Sequence, residues 1–326
     1  MTMPLNQNRS PAISVAMCTY NGERYLREQL DSIADQTMLP SELVICDDGS
    51  VDSTPEIVAD FTRSAPFEVK FTRNPTNLGS TKNFEQAIRL CRGELIALCD
   101  QDDVWNDCKL ARLVNEFADS SIGGVFSDGE LIGDKSQGLD TTLWLAFGFT
   151  SKMREQWQAK GPIPIFVKQD IVTGATLMFR AKLRESFVPI SPLWIHDGWI
   201  AWIIAVTSRL DFLNVPLIRY RTHSSQQAGV PDATTRARFA RLMQGGASNS
   251  LLEAKRFEEL QNHLTIVART LPFDGAEFLE GKIRHCRFRA NLPENRAARV
   301  PLVLSHLRAY GQYSLGLRDA MKDLVR

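Results

Sequence analysis

The amino-terminal part of the chain alternates between short apolar runs and amphipathic segments. The apolar runs predict β-strands at residues 13–18, 42–46, 67–71, 94–99 and 124–127. The segments between them carry apolar side chains at helical spacing and predict α-helices at residues 24–34, 53–61, 81–91 and 107–117. This alternation predicts an α/β fold, a Rossmann-like, mostly parallel sheet flanked by helices. The binding crevice of such a fold lies beyond the carboxyl ends of the strands.

The rest of the chain is irregular at first and then helical. Residues 129–168 carry Gly, Pro and scattered aromatic residues, and we interpret them as a variable insertion beside the crevice. Residues 176–179 and 210–220 predict further strands on either side of an apolar helix that opens at Asp197. We therefore expect three regions, with the boundaries 1–12 for a flexible tail, 13–228 for the main domain (halves 13–127 and 128–228) and 229–326 for a helical C-terminal region.

Composition and charge exclude several classes of protein. The chain is 44% hydrophobic and 23% charged, as in globular proteins, and no apolar run approaches the roughly 20 residues of a membrane span. Its 38 basic and 38 acidic residues cancel, which predicts no nucleic-acid partner. The stretch from Arg236 onward is nevertheless basic, with 16 Lys and Arg against nine Asp and Glu. Six cysteines without a CxxC pair, and no apolar signal segment at the amino terminus, indicate a cytoplasmic protein.

An acidic cluster follows the fourth predicted strand directly. Asp100, Asp102 and Asp103 would fan out from the strand end, and carboxylates in this arrangement suit Mg²⁺ or Mn²⁺. Because Mg²⁺ is usually shared between one or two carboxylates and substrate phosphates, the cluster favours a phosphate-bearing ligand. The alternative is a solvated acidic turn that caps the next helix at Asp103 or Asn106.

A second acidic pair ends the second predicted strand. Asp47 and Asp48 precede Gly49 and Ser50, and carboxylates at this position can accept hydrogen bonds from a ribose or a base edge. The alternative is a simple turn, because Asp-Gly is a common turn sequence. Neither a GxGxxG fingerprint nor a Walker A loop occurs, so a nucleotide would be bound in a different way.

Four motifs occur in order along the chain. They are Thr19-Tyr20-Asn21-Gly22, Asp47-Asp48-Gly49-Ser50-x-Asp52-x-Thr54, Asn77-x-Gly79 with Lys82-Asn83, and the run from Gly93 to Trp105 that contains Asp100-x-Asp102-Asp103. Together they resemble the motifs of family 2 glycosyltransferases, inverting enzymes with the GT-A fold and an Asp-x-Asp motif. The Asp-Gln-Asp-Asp-x-Trp form is most similar to rhamnosyltransferases of bacterial polysaccharide assembly. The resemblance is strong from Ile13 to Phe126 and weaker to Gln227.

The resemblance implies a role for each matching position. Residues 13–127 would form the nucleotide half of the catalytic domain, and 128–228 the acceptor half. Asp102 would coordinate the Mg²⁺ or Mn²⁺ that bridges the donor diphosphate. Lys82 stands where the family often has Arg. The residues that would contact the nucleotide are Thr19, Tyr20, Asn21, Asp47, Asp48, Lys82 and Asp100.

Two downstream clusters complete the candidate site. Transfer needs a general base for the acceptor hydroxyl, and Asp197 lies where the family carries an acidic base; the alternative is a helix N-cap. Arg219 and Arg221 lie two apart on a strand, so they share a face and could bind a diphosphate. His223 could complete the metal shell, as a downstream His does in many GT-A enzymes, or this cluster could be a basic strand end on the surface.

The resemblance also implies partners. The donor would be dTDP-rhamnose or a UDP-sugar, and the acceptor would be a saccharide or a lipid-linked molecule. Four tryptophans belong either to the hydrophobic core or to a platform that stacks on sugar rings of the acceptor. They are Trp144, Trp194, Trp199 and Trp202.

The C-terminal region has two interpretations. In the first, it is a structural appendage that buttresses the catalytic domain or mediates a homodimer contact. In the second, it makes peripheral contact with a membrane. The membrane interpretation rests on an amphipathic basic pattern. That pattern consists of Arg236, Arg238, Phe239, Arg241, Leu242 and Met243.

Two rival functions use parts of the same pattern. Asp100-Gln101-Asp102-Asp103-Val104 also fits the first motif of haloacid dehalogenase-like phosphatases, in which Asp100 would be the nucleophile. That motif belongs on a first strand, whereas three β-α units precede it here. A non-catalytic nucleotide-sugar binding protein would keep the nucleoside cluster and need neither Asp197 nor a metal.

Overall fold

The computed structural model describes residues 10–223, 247–267 and 273–325. Within them, nine strands form one mixed sheet in the spatial order β3-β2-β1-β4-β8-β6-β9-β5, and β7 pairs with β6. The strands are β1 Ile13–Thr19, β2 Glu42–Asp47, β3 Glu68–Arg73, β4 Leu95–Cys99, β5 Val104–Trp105, β6 Ile122–Ile132, β7 Gly138–Thr142, β8 Leu177–Arg180 and β9 Arg209–Arg221.

Helices connect the strands and continue beyond them. Those within the sheet region are α1 Leu26–Ala34, α2 Thr54–Thr62, α3 Ser80–Leu90, α4 Lys109–Glu116, α5 Leu143–Phe147, α6 Ser151–Lys160, α7 Ile163–Phe166, α8 Arg184–Phe187 and α9 His196–Thr207. The described helices that follow are α10 Ala247–Val267, α11 Phe273–Ala290, α12 Arg296–Ser305, α13 Leu307–Tyr313 and α14 Leu317–Val325. None of the helices in these described ranges combines the length and apolar character needed to cross a bilayer.

The first four strands form the parallel half of the sheet. β1 lies between β2 and β4, all in parallel, and β3 forms the outer edge beside β2. Every residue of β1, β2 and β4 is buried. A strand that is covered on both faces has a continuous apolar sequence, so the apolar runs of the chain locate these three strands well. The ends of β1, β2 and β4 therefore converge at one edge, as expected.

The second half of the sheet is mixed. β8 lies antiparallel between β4 and β6, and β9 runs parallel to β6. The two-residue strand β5 pairs antiparallel with the end of β9, so Val104 faces Arg219 and Trp105 faces Ile218. This pairing holds the acidic segment after β4 against the last residues of β9. The expected α/β fold, with a mostly parallel sheet in its amino-terminal half, is thus confirmed.

Two local expectations were wrong. Residues 129–168 are not an irregular insertion, because they hold the end of β6, the strand β7 and the helices α5 to α7. Aromatic side chains of this stretch, such as Trp144 and Trp157, pack on Phe126 of β6. Helix α4 is not capped by Asp103 or Asn106, since β5 intervenes and Cys108 is its N-cap residue.

Helices α10 and α11 share the hydrophobic core of the sheet region, whereas α12 and α14 pack around a separate small cluster with Tyr310. The Phe257 ring of α10 contacts the rings of Trp194 and Trp202 at centroid distances of 5.4 and 5.7 Å. All four tryptophans that the sequence left open, Trp144, Trp194, Trp199 and Trp202, are at most 4% exposed and belong to this core. The boundary at residues 228 and 229 and the basic pattern from Arg236 to Met243 lie outside the described residues.

Glu42 is a buried carboxylate at the start of β2. Its oxygens accept hydrogen bonds from the Ser14 hydroxyl, the Lys70 ammonium and the Arg92 backbone N–H, at 2.6–2.8 Å. Burial alone would raise the pKa of Glu42, but these donors lower it to about 2. The folded state therefore favours the charged form, and this contribution to stability is complete above pH 4.5 and is lost as the pH falls towards 2.

Glu42→Gln should lower the free energy of unfolding by about 3 kcal/mol at neutral pH, since each pKa unit corresponds to about 1.4 kcal/mol. The difference from the wild type should shrink below pH 4.5, where the wild-type carboxylate begins to be protonated. Urea denaturation across this range measures both effects. Glu68→Gln, at the exposed partner of Arg92, is the control and should change little. A loss that is equal at every pH would refute the electrostatic origin.

Candidate functional site

Hydrogen bonds join the loops after β1 and β2, and they involve the motifs that begin at Thr19 and at Asp47. The Thr19 hydroxyl donates to the Asp47 carboxylate at 2.9 Å, and the backbone N–H of Ser50 donates to the same carboxylate at 2.9 Å. Asn21, at a φ of 47°, accepts from the backbone N–H of Val51 at 2.9 Å. Thr19 and Asp47 are buried, whereas Tyr20 is 49% exposed. Tyr20 is thus the residue of this group that presents a ring to a ligand.

Asp48 organises the loop before α3. Its carboxylate accepts from the Asn74 amide and from the backbone N–H groups of Leu78 and Gly79, at 2.8–2.9 Å. Lys82, in the first turn of α3, donates to Glu85 and to a backbone carbonyl, both at 2.8 Å. These contacts position the nucleoside motifs around one edge of the sheet, and direct contact of Asp48 or Lys82 with a nucleotide stays a prediction.

The acidic segment after β4 concentrates three carboxylates. Burial is the main cause that raises the pKa of Asp100 to about 7, and the charges of Asp102 and Asp197 add to it. Burial, and then the charges of Asp102 and Asp100, raise the pKa of Asp103 well above its usual range. A raised pKa shows that the ionised carboxylate is poorly solvated, and carboxylates with shifted pKa values are common in functional sites.

The end of β9 closes on this segment. Arg221 donates from its backbone N–H to the Asp103 carboxylate at 2.9 Å and from Nε to the Asp102 carbonyl at 2.7 Å. Its guanidinium also pairs with Glu28 of α1 at 2.6 Å and donates to the Ser136 hydroxyl at 2.8 Å. Arg221 is only 1% exposed, so the structure uses it to hold the acidic segment in place.

Asp102 and His223 form the pair that could hold a metal. His223 Nε2 lies 2.8 Å from Asp102 Oδ2, although the two residues are 121 positions apart. A carboxylate and an imidazole are suitable ligands for Mn²⁺, and the carboxylate also suits Mg²⁺. No group of three or more His, Cys, Asp or Glu side chains in the described part of the chain is arranged to hold a metal by itself. Two protein donors fit a cation whose remaining ligands come from a diphosphate.

Asp197 lies in the first turn of α9, near enough to Asp100 to raise its pKa. The N-cap residue of that helix is Ile195, so Asp197 is not the cap that the alternative interpretation required. Its carboxylate accepts from the backbone N–H groups of Gly198 at 2.7 Å and Gly174 at 3.2 Å. Burial raises the pKa of Asp197 despite these hydrogen bonds. The raised pKa suits a group that must accept a proton near neutral pH.

Sequence reasoning missed a contribution from the C-terminal region to this part of the site. The positive charge of Arg256, on α10, lowers the pKa of Asp197 and so opposes the effect of burial. Arg256 stacks 4.2 Å from the centre of the Trp194 ring and pairs with Asp170 at 3.6 Å. No local pattern singles out Arg256, because its neighbours in the helix do not reveal which element it packs against.

Sequence reasoning also missed the turn between β6 and β7. Asp134 in this turn pairs with Arg24 and accepts from the Tyr25 hydroxyl. The Tyr25 ring lies 5.0 Å from the ring of His223, and Arg219 donates to the Ser136 carbonyl at 2.5 Å. Arg219 and Arg221 thus both contact this turn, and a diphosphate role for them stays a prediction.

His196, beside Asp197 in the chain, is a buried core residue. It stacks on Phe84 at a centroid distance of 3.9 Å. Neither ring nitrogen has a hydrogen-bond partner among the residues that the structure describes. Burial lowers the pKa of His196 to about 3, so it is neutral at physiological pH.

Known sequences resemble this chain in its amino-terminal two thirds. The model of the family described as Glycosyl transferase family 2 matches residues 14–183, more than half of the chain. An uncharacterized glycosyltransferase of Nostoc sp. (strain PCC 7120) is 28% identical over 217 residues, which cover 65% of each protein. The dTDP-rhamnosyl transferase RfbG of Shigella flexneri is 27% identical over 240 residues, 69% of this chain and 78% of RfbG.

Coverage is lower for other relatives. An uncharacterized protein of Mycobacterium tuberculosis is 39% identical over 104 residues, 31% of this chain and 30% of the relative. The chain thus spans less than two thirds of the length of the cyanobacterial and mycobacterial relatives.

Solved structures resemble the chain along most of its length. A mannosyltransferase from Pyrobaculum calidifontis in complex with GDP-Man and Mn²⁺ has a TM-score of 0.53 at 18% identity, covering 96% of this chain and 79% of the other. Residues 1–349 of S. aureus TarS in complex with UDP-GlcNAc give a TM-score of 0.53 at 18% identity, covering 96% and 89%. These likenesses confirm the GT-A type of fold.

Arg221→Met should lower the free energy of unfolding by about 3–5 kcal/mol, because it leaves buried acceptors without their cationic donor. Arg219→Met, on the same strand, should cost less than about 1 kcal/mol since it removes one partly buried hydrogen bond. Urea denaturation of both variants checks the difference. An Arg221→Met variant of wild-type stability that fails to bind nucleoside diphosphates would instead place Arg221 at the diphosphate.

Proposed function

The chain belongs to glycosyl transferase family 2, and we propose that it transfers a sugar, with inversion, from a nucleoside-diphosphate donor to a saccharide or lipid-linked acceptor in bacterial surface polysaccharide synthesis. The observation that carries the proposal is the meeting of Asp100, Asp102 and His223 at one strand edge with Asp197 close by. Two roles are separated there, a cation-binding pair and an isolated carboxylate with a raised pKa.

The donor occupies the edge formed by the ends of β1, β2 and β4. Tyr20 offers an exposed ring, and the loops that carry Asn21, Asp47 and Asp48 frame the nucleoside. Asp100 accepts from the ribose. Lys82 and Arg219 add positive charge beside the diphosphate, a suitable use of lysine and arginine. The buried Arg221 holds the acidic segment that carries Asp102.

Asp102 and His223 would hold Mg²⁺ or Mn²⁺. A cation there would supply Lewis-acid stabilisation of the negative charge that develops on the leaving group. The Mn²⁺ in the complex of the Pyrobaculum mannosyltransferase supports a metal of this kind.

Asp197 acts as the general base. The acceptor oxygen attacks the anomeric carbon, and its proton passes to the Asp197 carboxylate. The bond between the anomeric carbon and the diphosphate oxygen breaks, and its electron pair leaves with the nucleoside diphosphate. Attack on the face opposite the leaving group inverts the anomeric centre, which requires the base and the diphosphate to lie on opposite sides of the sugar.

The donor sugar that we favour is L-rhamnose, carried by dTDP. The likeness to RfbG over 69% of this chain supports it. A UDP-sugar is the second candidate. It is supported by the 29% identity over 124 residues to the E. coli glucosyltransferase WfgD, named for UDP-Glc, and by TarS with bound UDP-GlcNAc.

The phosphatase alternative loses its basis. Asp100 follows β4 rather than a first strand, and the family match extends well beyond this motif. A cytoplasmic location, with or without membrane contact, remains part of the proposal.

Asp102→Asn should abolish the effect of Mn²⁺ on nucleotide binding and slow transfer by roughly 10²-fold or more, because one cation ligand is lost. Thermal shift measures binding first: dTDP or UDP at 100 times its dissociation constant should stabilise the wild type by about 2.7 kcal/mol. This gain should need Mn²⁺ in the wild type and should not respond to Mn²⁺ in the variant.

Asp107→Asn, an exposed position in the same segment, is the matched control and should behave as the wild type. An Asp102→Asn variant with normal transfer in saturating Mn²⁺ would remove Asp102 from the metal site. A chain that no nucleoside diphosphate stabilises, with or without Mn²⁺, would contradict the proposed donor.

Asp197→Asn should reduce transfer by about 10²–10⁴-fold, the usual cost of a lost general base, while nucleotide binding stays unchanged. Product formation from dTDP-rhamnose and thermal shift with dTDP separate the two effects. Asp35→Asn, exposed after α1, is the control. Loss of both activity and binding would indicate a structural role for Asp197. If the wild type binds the nucleotide but transfers sugar to none of the acceptors tested, the result would favour a non-catalytic nucleotide-sugar binding protein.

A further inference from the structure

The last helix of the chain has its polar and apolar faces reversed relative to an ordinary surface helix. A surface helix normally buries apolar side chains and exposes charged ones. In α14 the carboxylates of Asp319 and Asp323 are 8% and 1% exposed. Leu317, Met321 and Val325, spaced four residues apart on one face, are 70%, 63% and 55% exposed. The apolar stripe of α14 therefore faces outward.

The buried carboxylates have partners that fix this orientation. Asp323 accepts from Arg289 Nε at 2.7 Å and from the Tyr310 hydroxyl at 2.6 Å. Asp319 pairs with Lys322 at 3.2 Å and accepts from the Leu315 backbone N–H at 3.0 Å. Rotating α14 to bury its apolar stripe would break these contacts and leave Arg289 without its anion, so the exposed stripe is built into the fold.

Helix α12 also buries a charged side chain and exposes aliphatic ones, and a hydrogen bond links it to α14. Its Arg299 is 6% exposed and donates to the Asp323 carbonyl of α14 at 2.8 Å. Val300 and Leu304, four residues apart, are 41% and 54% exposed. Two neighbouring helices thus turn charged groups inward and aliphatic groups outward.

The exposed charges of α12, α13 and α14 are positive, and Glu294, just before α12, is an exposed acidic residue. Between residues 295 and 325, the charged residues that the structure describes as exposed are all arginines. They are Arg296, Arg308 and Arg318. The two acidic residues of this stretch, Asp319 and Asp323, are the buried ones. An outward aliphatic stripe beside arginines matches the boundary of an anionic bilayer, where acyl chains lie next to negative headgroups.

We propose that α12 and α14 dock the protein on the surface of an anionic phospholipid bilayer, with the aliphatic side chains in the headgroup boundary and the arginines on the phosphates. A second copy of the chain is a poorer occupant of this face. In a two-fold symmetric contact the same positively charged patch meets itself, and Glu294 is the only exposed acidic residue that the structure describes between residues 294 and 325. The proposal goes beyond sugar transfer, because docking needs neither donor nor acceptor.

Vesicle flotation tests the docking face. The wild-type protein should float with vesicles of phosphatidylcholine containing phosphatidylglycerol, and much less with vesicles of phosphatidylcholine alone. Binding should weaken as salt is added, because the arginine contribution is screened. Leu317→Glu combined with Met321→Glu should lower the bound-to-free ratio by about tenfold or more, since it removes two apolar anchors and adds two negative charges.

The control is Leu145→Glu. Leu145 is also 70% exposed on a helix, but it lies in α5, outside the proposed face. This variant should bind vesicles as the wild type does. Far-ultraviolet circular dichroism and thermal melting confirm that each variant is folded, and Arg318→Gln gives a second, milder test that should reduce binding to the anionic vesicles only.

Three results would overturn the proposal. The first is a wild-type protein that stays with the free fraction for both kinds of vesicle. The second is a folded double variant that binds as the wild type does. The third is a dimer that the double variant dissociates while vesicle binding is absent, which would assign this face to a second copy. A failure of docking leaves nucleotide binding and transfer untouched, so the two proposals fail separately.

Discussion

The buried guanidinium of Arg221 connects segments of the candidate site that are far apart in the chain. It donates to the Asp102 carbonyl in the acidic segment, pairs with Glu28 on α1, and donates to Ser136 in the turn after β6. An arginine so fully buried is stable only when its donors find acceptors, so all three segments must be in place together. These hydrogen bonds and the pairing of β5 with β9 together bring Asp102 beside His223.

The site gathers carboxylates that repel one another in the absence of a ligand. Burial and mutual repulsion raise the pKa of Asp100 and Asp103, while Asp197 adds charge from the other side. The sheet imposes this arrangement because the acidic segment is held between β4 and β9. A divalent cation would relieve this repulsion. This electrostatic cost agrees with the proposed cation site.

The C-terminal helices connect this site with the outer surface. Arg256 of α10 brings positive charge to Asp197, and α10 packs through Phe257 on the tryptophans of the sheet region. At the other end of the same helical region, α12 and α14 expose their aliphatic faces. A catalytic base influenced by α10 and a bilayer contact through α14 would suit an acceptor that is anchored in a membrane.

Local pattern in the sequence determined the order of strands and helices from β1 to α4, with boundaries within about two residues, but it missed the two-residue strand β5. Burial on both sides leaves a continuous apolar run in β1, β2 and β4. It also placed the acidic motifs at strand ends. Only the tertiary structure decided that Asp102 meets His223, that Arg221 is buried, and that α14 turns Asp323 inward. These facts depend on pairings between residues up to 121 positions apart and on the desolvation they cause. Periodicity reports the burial of one segment and carries no information on which distant charge that segment will face.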